Sequence, residues 1–251
     1  MPEGHTIHRL AHDLTKDLSG KSVQVTSPNG RFTQAPLIDG ETVNTASAIG
    51  KHLLIAFDER YLHIHLGRFG KLRRTPGALP PKPTARLRLA SAEAVWEMTG
   101  AIQCELIESA DVDTLRGRIG ADPLSDAPRP AATWERFHGT KRGVGAVLLD
   151  QSIFSGIGNV YRAEILFMLG LNPLMPAVTI DKPTFERIWR LTRTLLAKGV
   201  ETNRIITVKG ATAKTSRRNA LHVYKRKTCR VCDSPIRTLT SGGRALYFCP
   251  V

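Results

Sequence analysis

The chain has 251 residues, a length that suits one large domain or two modest ones, each with a buried core. Its 41% hydrophobic and 23% charged residues exclude a disordered chain, while 36 lysines and arginines against 22 acidic residues give a formal net charge of +14. No apolar run reaches the roughly 18 residues of a membrane span, and no charged start followed by an apolar stretch marks a signal peptide. Four cysteines are too few for a disulfide scaffold, which predicts a reducing, cytoplasmic setting.

The N-terminal part changes from a helical to a strand pattern. Apolar residues recur at three- and four-residue steps between Ile7 and Leu18, before Gly20, which predicts a first helix. Short strands separated by turn residues follow as far as about Leu106 and indicate an antiparallel sandwich or barrel. The strands that the pattern singles out are Ser22–Thr26, Leu53–Phe57, Tyr61–Leu66, Ala85–Leu89 and Ala94–Met98.

Beyond a Pro- and Asp-rich connection at 120–130 the apolar period becomes helical. The longest predicted helix starts at Asp181, has Pro183 in its first turn and ends at Gly199. Shorter helices are predicted at Thr133–His138, Val144–Leu149 and Tyr161–Leu169. The predicted organisation is an N-terminal domain at 1–119, a linker at 120–132, a helical domain at 133–222 and a cysteine-containing segment at 223–251.

Most of the excess positive charge lies in the last fifth of the chain. From Thr202 to Val251 the sequence has eleven basic residues and one acid, Asp233. Such one-sided charge favours a polyanionic partner, and since no basic amphipathic helix favours a membrane surface, nucleic acid is the better interpretation. The basic residues are Arg204, Lys209, Lys214, Arg217, Arg218, Lys225, Arg226, Lys227, Arg230, Arg237 and Arg244.

Three of the four cysteines have the spacing of a zinc site. Cys229 and Cys232 are separated by two residues, and Cys249 follows after sixteen more, which is three quarters of a two-knuckle zinc ribbon. The fourth ligand is expected one position past Val251. Cys104, in the strand region, is expected to be a small buried residue instead.

Two further patterns are open to more than one interpretation. The segment 155–159 has two glycines before a predicted helix, where exposed N–H groups would attract a phosphate, although a plain turn has the same sequence. His63 and His65 alternate with apolar residues, so both point to one face of a strand. That face is interpreted as solvent- or phosphate-facing, with metal ligation as the alternative.

The N-terminus also carries possible chemistry. Removal of Met1 would leave a secondary amine at Pro2, which is a nucleophile towards carbonyl carbons. The following helix start disfavours the protonated amine, and Glu3 is placed to move the proton. On these residues alone an ordinary N-terminus remains the competing interpretation.

Taken together, these motifs resemble the formamidopyrimidine-DNA glycosylase and endonuclease VIII family of base-excision-repair enzymes. The resemblance implies an α+β multidomain fold with an N-terminal β-sandwich, a helix–two-turn–helix domain and a C-terminal zinc-finger β-hairpin. It also implies a monomer that acts on damaged DNA, duplex or single-stranded, in the bacterial nucleoid. The matching segments are 1–4, 50–54, 65–67, 122–124, 148–151, 156–161 with Glu164, 242–244 and the cysteines.

The resemblance assigns chemical roles to individual residues. Pro2 would attack C1′ of the damaged nucleotide, expel the base and form a Schiff base, with Glu3 as general acid and base. Lys51 would contact a phosphate and assist the elimination steps. Asn159 and Arg244 would hold the phosphates that flank the extruded nucleotide, and Arg244 is counted with the catalytic residues.

Further roles follow from the same resemblance. His65 and the backbone of Gly156 and Gly158 would add DNA contacts, and Cys229, Cys232 and Cys249 would hold a structural Zn²⁺. Gly4 is typical of the endonuclease VIII branch, whose usual substrates are oxidised pyrimidines. Where the formamidopyrimidine branch has a methionine wedge, Phe69 follows Arg68 and either stacks in the DNA or belongs to the core.

Two other functions remain open at this stage. The first is a non-catalytic binder of damaged DNA with the same fold, which keeps the phosphate contacts without chemistry. The second is a zinc-ribbon RNA or transcription accessory protein, which accounts for the charge and cysteines and leaves Pro2 and Glu3 unused.

Overall fold

A computed structural model describes residues 2–76 and 79–251, so the expected removal of Met1 lies outside the described residues. The chain divides into two compact units. The first unit contains the N-terminus as far as Glu3 and Ile7–Arg118, and the second contains Gly4–Thr6 and Ile119–Val251. None of the helices in the described ranges is both long and apolar enough to span a bilayer.

Two four-stranded antiparallel sheets make the first unit a β-sandwich, as predicted. The first sheet has the strand order β10-β6-β5-β4 and the second the order β2-β8-β9-β7, while β1 and β3 form a short separate pair. The strands are β1 Lys21–Ser22, β2 Gln24–Thr26, β3 Thr42–Val43, β4 Thr45–Ile49, β5 His52–Ala56, β6 Arg60–His65, β7 Lys71–Thr75, β8 Leu87–Ala90, β9 Val95–Thr99 and β10 Gln103–Glu108.

Alternate apolar side chains of the strands form the core of this unit. Leu53 and Ile64 come from the first sheet, Leu89 and Met98 from the second, and all four are fully buried. The predicted first helix is α1, Gly4–Leu18, and its apolar face joins the same core. Cys104 is buried in this core as expected, and burial raises the pKa of its thiol to about 12.

A second helix of this unit, α2 at Ser109–Arg118, was not predicted. It lies against β6 and β10, on the opposite face of the first sheet from the core. Only Val112 of α2 is buried, so its sequence lacks the apolar periodicity that marks a packed helix.

The second unit is mainly helical. An aromatic cluster fills its core, with Phe137, Phe154, Tyr161 and Phe185 fully buried or nearly so. A two-stranded hairpin adds Leu246 to that core. The elements are α3 Pro130–His138, α4 Val144–Val147, α5 Asn159–Met168, α6 Lys182–Thr202, β11 Arg237–Ser241 and β12 Arg244–Phe248.

The prediction that Gly199 ends the long helix is wrong. Helix α6 continues to Thr202, and Asn203 ends it in the left-handed conformation with φ 51°. A Cβ atom at Gly199 would lie 2.3 Å from the Tyr161 hydroxyl and 2.8 Å from Cβ of His5. The glycine therefore serves a close packing contact and not a helix stop.

Candidate active site

The residues that follow Pro2 and Glu3 are held by a close backbone contact. The Gly4 N–H donates to the carbonyl oxygen of Gly156 at 2.8 Å, and a Cβ at Gly4 would lie 2.8 Å from the Gly156 Cα. Only glycine fits this approach, which gives a physical reason for the residue that indicated the endonuclease VIII branch. Glu3 is fully buried at the N-cap of α1, and Pro2 is half-buried.

Lys51 occupies the two-residue turn between β4 and β5. Ile49 pairs with His52 across the turn, and Gly50 has φ 58° at its first central position. This geometry is that of a type II′ hairpin turn, which favours glycine at its first central position. The turn thus presents a half-exposed lysine at one end of the first sheet.

Three histidines lie together on the face of the first sheet opposite the core. Nδ1 of His52 and Nε2 of His63 are 2.9 Å apart, and the rings of His52 and His65 make an edge contact with centroids 4.7 Å apart. The prediction that His63 and His65 share a face is confirmed, since the intervening Ile64 is buried in the core. The expected solvent exposure of His63 is wrong, because its ring is 4% exposed and packed between His52 and Glu105.

Burial lowers the pKa of all three histidines. For His52 it lowers the pKa to about 3, with further lowering from the positive charges of His65, His63, Lys51 and Arg118. For His63 and His65 burial is again the main cause of the lowered pKa, opposed at His63 by Glu105. The cluster is therefore neutral at pH 7 in the free protein.

An exposed apolar tip lies in the same unit. Phe69 is 76% exposed and Ile102 is 69% exposed. The Arg68 guanidinium lies 5.4 Å from the centre of the Phe69 ring, and a Cβ at Gly67 would lie 2.7 Å from Cγ2 of Ile102. Of the two interpretations of Phe69, the structure excludes the core.

In the second unit, Asn159 joins the start of α5 to the hairpin. Its Nδ2 donates to the carbonyl oxygen of Ala245 at 2.8 Å, and its Oδ1 accepts from the Arg162 guanidinium. Arg162 is completely buried and also donates to the carbonyl oxygens of Gly145 at 3.1 Å and Ser241 at 2.9 Å. Asn159, predicted to be a DNA contact, is itself only 6% exposed in this arrangement.

The glycine segment before α5 differs from the expected phosphate cradle. Residues 155–160 are buried, and the Gly156 N–H donates to Oε1 of Gln151 at 3.2 Å. The expected exposed amide at Gly156 is therefore not present in this structure. Gly158 is the N-cap of α5 and is also buried.

Arg244 is the first residue of β12 and lies next to the tip of the hairpin. Gly242 and Gly243 have φ of 59° and 70°, and Ser241 pairs with Arg244 across them. Two consecutive positive φ values define a type I′ turn, which glycine accepts without strain. The Arg244 side chain is exposed beside this turn.

A buried carboxylate fixes the segment that leads into the hairpin. Oε1 of Glu164 accepts from the backbone N–H groups of Val223 and Tyr224, both at 2.9 Å. Its Oε2 accepts from the His222 N–H at 2.7 Å and from the Thr207 hydroxyl at 2.5 Å. The resemblance singled out Glu164 without a role, and these contacts make it a structural anchor.

The three predicted zinc ligands lie together. The Sγ atoms of Cys229, Cys232 and Cys249 are all within 4.8 Å of one another, with 3.4 Å between those of Cys232 and Cys249. Thiolates bound tetrahedrally to one Zn²⁺ are about 3.8 Å apart, so the cluster fits this ion. Hydrogen bonding with Ser234 lowers the pKa of the Cys232 thiol to about 7, whereas burial raises the pKa of the Cys249 thiol to about 11, so Cys232 is the thiol of this pair that ionises more readily.

Comparison with known proteins decides the family. The family described as formamidopyrimidine-DNA glycosylase N-terminal domain matches residues 1–101, and the formamidopyrimidine-DNA glycosylase H2TH domain matches residues 119–210. Endonuclease 8 1 from Mycobacterium bovis is 37% identical over 100% of this chain and 99% of its own length. The chain belongs to the formamidopyrimidine-DNA glycosylase and endonuclease VIII family.

Other members of the family agree with this assignment. A formamidopyrimidine-DNA glycosylase from a Janthinobacterium strain is 30% identical over 87% of this chain and 84% of its own length. Among solved structures, Lactococcus lactis Fpg in complex with DNA containing N7-benzyl-Fapy-dG has a TM-score of 0.82 over 99% of this chain and 98% of that one. At 22% identity that likeness shows the shared fold, and the resemblance to endonuclease 8 supports the predicted branch.

Proposed function

We propose that this member of the family is a bifunctional DNA glycosylase and AP lyase that acts through the amine of Pro2. The amine attacks C1′ of a damaged nucleotide, the bond from C1′ to the base breaks, and the base leaves with a proton. Loss of the remaining ring C–O bond gives an iminium ion between Pro2 and the opened sugar. The observation that supports this most strongly is the 37% identity with endonuclease 8 over 100% of this chain, an alignment that spans the Pro2–Glu3–Gly4 start.

The lyase steps follow from the same iminium ion. It acidifies the C2′ hydrogen, so removal of that proton expels the 3′ phosphate by β-elimination, and a second elimination expels the 5′ phosphate. Water then releases Pro2. Glu3, fully buried at the start of α1, is the proposed group that moves protons in these steps. The α1 N-terminus disfavours an ammonium at the neighbouring Pro2 and so keeps the amine nucleophilic.

Phosphate contacts are proposed in both units. Lys51 on its tight turn and His65 serve the first unit, and Asn159 and Arg244 serve the second. His65 Nδ1 accepts from the Gly67 N–H at 3.1 Å, so its proton lies on Nε2, where it can be donated to a phosphate oxygen. Solved complexes of Lactococcus lactis Fpg with abasic-site DNA support a DNA partner for this fold.

Phe69 is proposed to fill the gap left by the extruded nucleotide. Flipping a base out of the stack costs a few kcal/mol, and an aromatic ring offsets part of that cost by stacking on the neighbouring bases. Phe69 and Ile102 together form an exposed apolar tip of the kind that wedges between base pairs.

Cys229, Cys232 and Cys249 are proposed to hold a structural Zn²⁺. The ion would link the base of the hairpin to the preceding loop and so stabilise the strands that present Arg244. The proposed substrate class is oxidised pyrimidines, because the endonuclease 8 relatives are the more similar group.

Borohydride trapping tests the mechanism. Protein with a processed N-terminus should become covalently linked to DNA containing an abasic site or thymine glycol, since borohydride reduces the iminium ion. Pro2→Gly should greatly reduce trapping, and Pro81→Gly, in an exposed loop, should trap as well as the unchanged protein. Absence of an adduct with the unchanged protein would leave the non-catalytic DNA binder, and equal trapping by Pro2→Gly would exclude the proline mechanism.

A further inference from the structure

The histidine cluster contains two residues, His52 and His63, that the proposed DNA contacts do not include. His52 is the first residue of β5 and directly follows Lys51. It shares its sheet face with His63 and His65 of β6 and with Glu105 of β10, because the register pairs Glu105 with His63 and Leu54 with His63. A polar row therefore crosses three strands on the face opposite the core.

The hydrogen bonds in this row determine where each proton lies. Glu105 Oε1, which accepts from Nε2 of Gln103 at 2.6 Å, also lies 3.5 Å from Nδ1 of His63, and the negative charge of the carboxylate favours a proton on that nitrogen. Nε2 of a neutral His63 is then an acceptor, so it receives the proton of His52 Nδ1, 2.9 Å away. Nε2 of His52 is left without a proton and can accept one.

The two outer histidines thus differ in what they offer to a ligand. His65 presents an N–H at Nε2 because its Nδ1 already accepts from Gly67. His52 presents a bare nitrogen lone pair, which a phosphate oxygen would repel unless the ring first takes up a proton. Protonation would turn His52 into a second cationic donor beside Lys51.

Burial and the groups that face His52 explain why it is neutral before DNA binds. Burial lowers its pKa most, and His65 and His63 on β6, Lys51 in the turn and Arg118 on α2 lower it further. Glu105 lies at the far end of the row and raises the pKa of His63. A phosphate next to Lys51 would offset one of the opposing charges and add an attractive one.

We propose that His52 is a further phosphate-binding residue, positioned by His63 and Glu105 through a hydrogen-bonded relay, and that DNA binding is accompanied by uptake of a proton at His52 Nε2. The proton comes from solvent, and the resulting charge is shared along the relay towards the Glu105 carboxylate. This inference rests on the proposed phosphate contacts of Lys51 and His65. His63 and Glu105 are positioning residues, because they act on DNA only through His52.

The linkage has a defined sign. Complex formation raises the pKa of His52. The gain in DNA affinity from the protonated ring has its full value below the pKa of the free protein, and it is lost as pH rises through the higher pKa of the complex. With the free pKa at about 3, affinity should fall as pH increases above that value and level off above the pKa of the complex. One linked proton changes the dissociation constant by at most about tenfold per pH unit.

The primary test is the pH dependence of binding to a duplex that contains a tetrahydrofuran abasic-site analogue. Fluorescence anisotropy at constant ionic strength should give a negative slope of log affinity against pH for the unchanged protein. His52→Gln and Glu105→Gln should each flatten that slope. The controls are His12→Gln, an exposed histidine on α1, and Glu108→Gln at the exposed end of β10, which should keep it. An equal slope for His52→Gln and the unchanged protein would overturn the proposal.

A second measurement needs no variant of the cluster. Histidine ¹⁵N and ¹³C NMR of the unchanged protein should show His52 as the neutral Nδ1–H tautomer when free and as imidazolium in the complex at pH 6. A His52 that stays neutral in the complex at pH 5.5 would contradict the proposal. Pro2→Gly should keep the pH slope of binding, so a failed trapping experiment and a failed linkage experiment are distinguishable.

Discussion

Replacing Glu164 with glutamine tests whether its charge holds the segment that leads into the hairpin. The carboxylate accepts four hydrogen bonds from Thr207, His222, Val223 and Tyr224. A glutamine oxygen can keep the Val223 and Tyr224 bonds, and its NH₂ can donate to the Thr207 hydroxyl after that hydroxyl rotates. The NH₂ would then face the His222 N–H, which cannot rotate and would lose its acceptor.

The magnitude follows from these four bonds. The bonds from the Val223 and Tyr224 N–H groups change from a charged to a neutral acceptor, which costs about 1 kcal/mol each. The buried His222 N–H, left without an acceptor, costs about 1–3 kcal/mol more. Glutamine is easier to bury than a charged carboxylate, which offsets part of this loss. We expect Glu164→Gln to destabilise the segment by about 3 kcal/mol, which is on the order of a hundredfold in its opening equilibrium.

Hydrogen exchange read by mass spectrometry is the appropriate assay, because a chain with two units need not unfold in one step. Peptides covering residues 207–224 should lose protection in Glu164→Gln, and peptides from the β-sandwich should not. Glu135→Gln, an exposed residue on α3 with the same change of charge, is the control. Equal protection of 207–224 in both variants would refute the assignment of Glu164 as the anchor.

Three further changes give distinct outcomes. Arg244→Ala should weaken DNA binding and reduce the slope of log affinity against log salt by about 0.9, the value for one lost phosphate contact; an unchanged slope in a salt titration would count against the assignment. Cys229→Ser should lower the zinc content measured by mass spectrometry and the melting temperature of the second unit, while the sandwich melts as before. Gly199→Ala should lower stability in urea by about 1–3 kcal/mol because its methyl group meets the Tyr161 hydroxyl, whereas Gly117→Ala, with open space around it, should not.

The predicted elements agree with the structure best where local chemistry determines them. Helix α6 starts with Asp181 as N-cap, whose carboxylate accepts from the Thr184 N–H at 3.0 Å, and with Pro183 in its first turn, as the sequence predicts. Its end was misjudged because Gly199 is required by a tertiary contact that no local pattern records. The predicted strands include the apolar central strands β5 and β6 of the first sheet but omit the edge strands β4 and β7, which are more polar.

Sequence motifs could indicate the candidate site where a residue's place is fixed by its immediate neighbours. Lys51 and Arg244 each follow a glycine in a two-residue turn, so the sequence alone places them at hairpin tips. His52 gave no such signal, because its relay depends on the pairing of β5 with β6 and of β6 with β10. Alternation of residues in β6 could show that His63 and His65 share a face but not that α2 lies against it.

Arg162 shows why the second unit's DNA contacts must be considered as a set. Burying an arginine is costly unless its charge is compensated by hydrogen bonds, and here the two terminal nitrogens of the guanidinium donate to acceptors on α4, α5 and the hairpin. By donating to Asn159 Oδ1 and to the Ser241 carbonyl, it fixes one proposed phosphate contact and the strand that leads to the other, Arg244. Loss of the Arg162 side chain would therefore misplace both Asn159 and Arg244 without removing either residue. It should weaken DNA binding more than Arg244→Ala alone does.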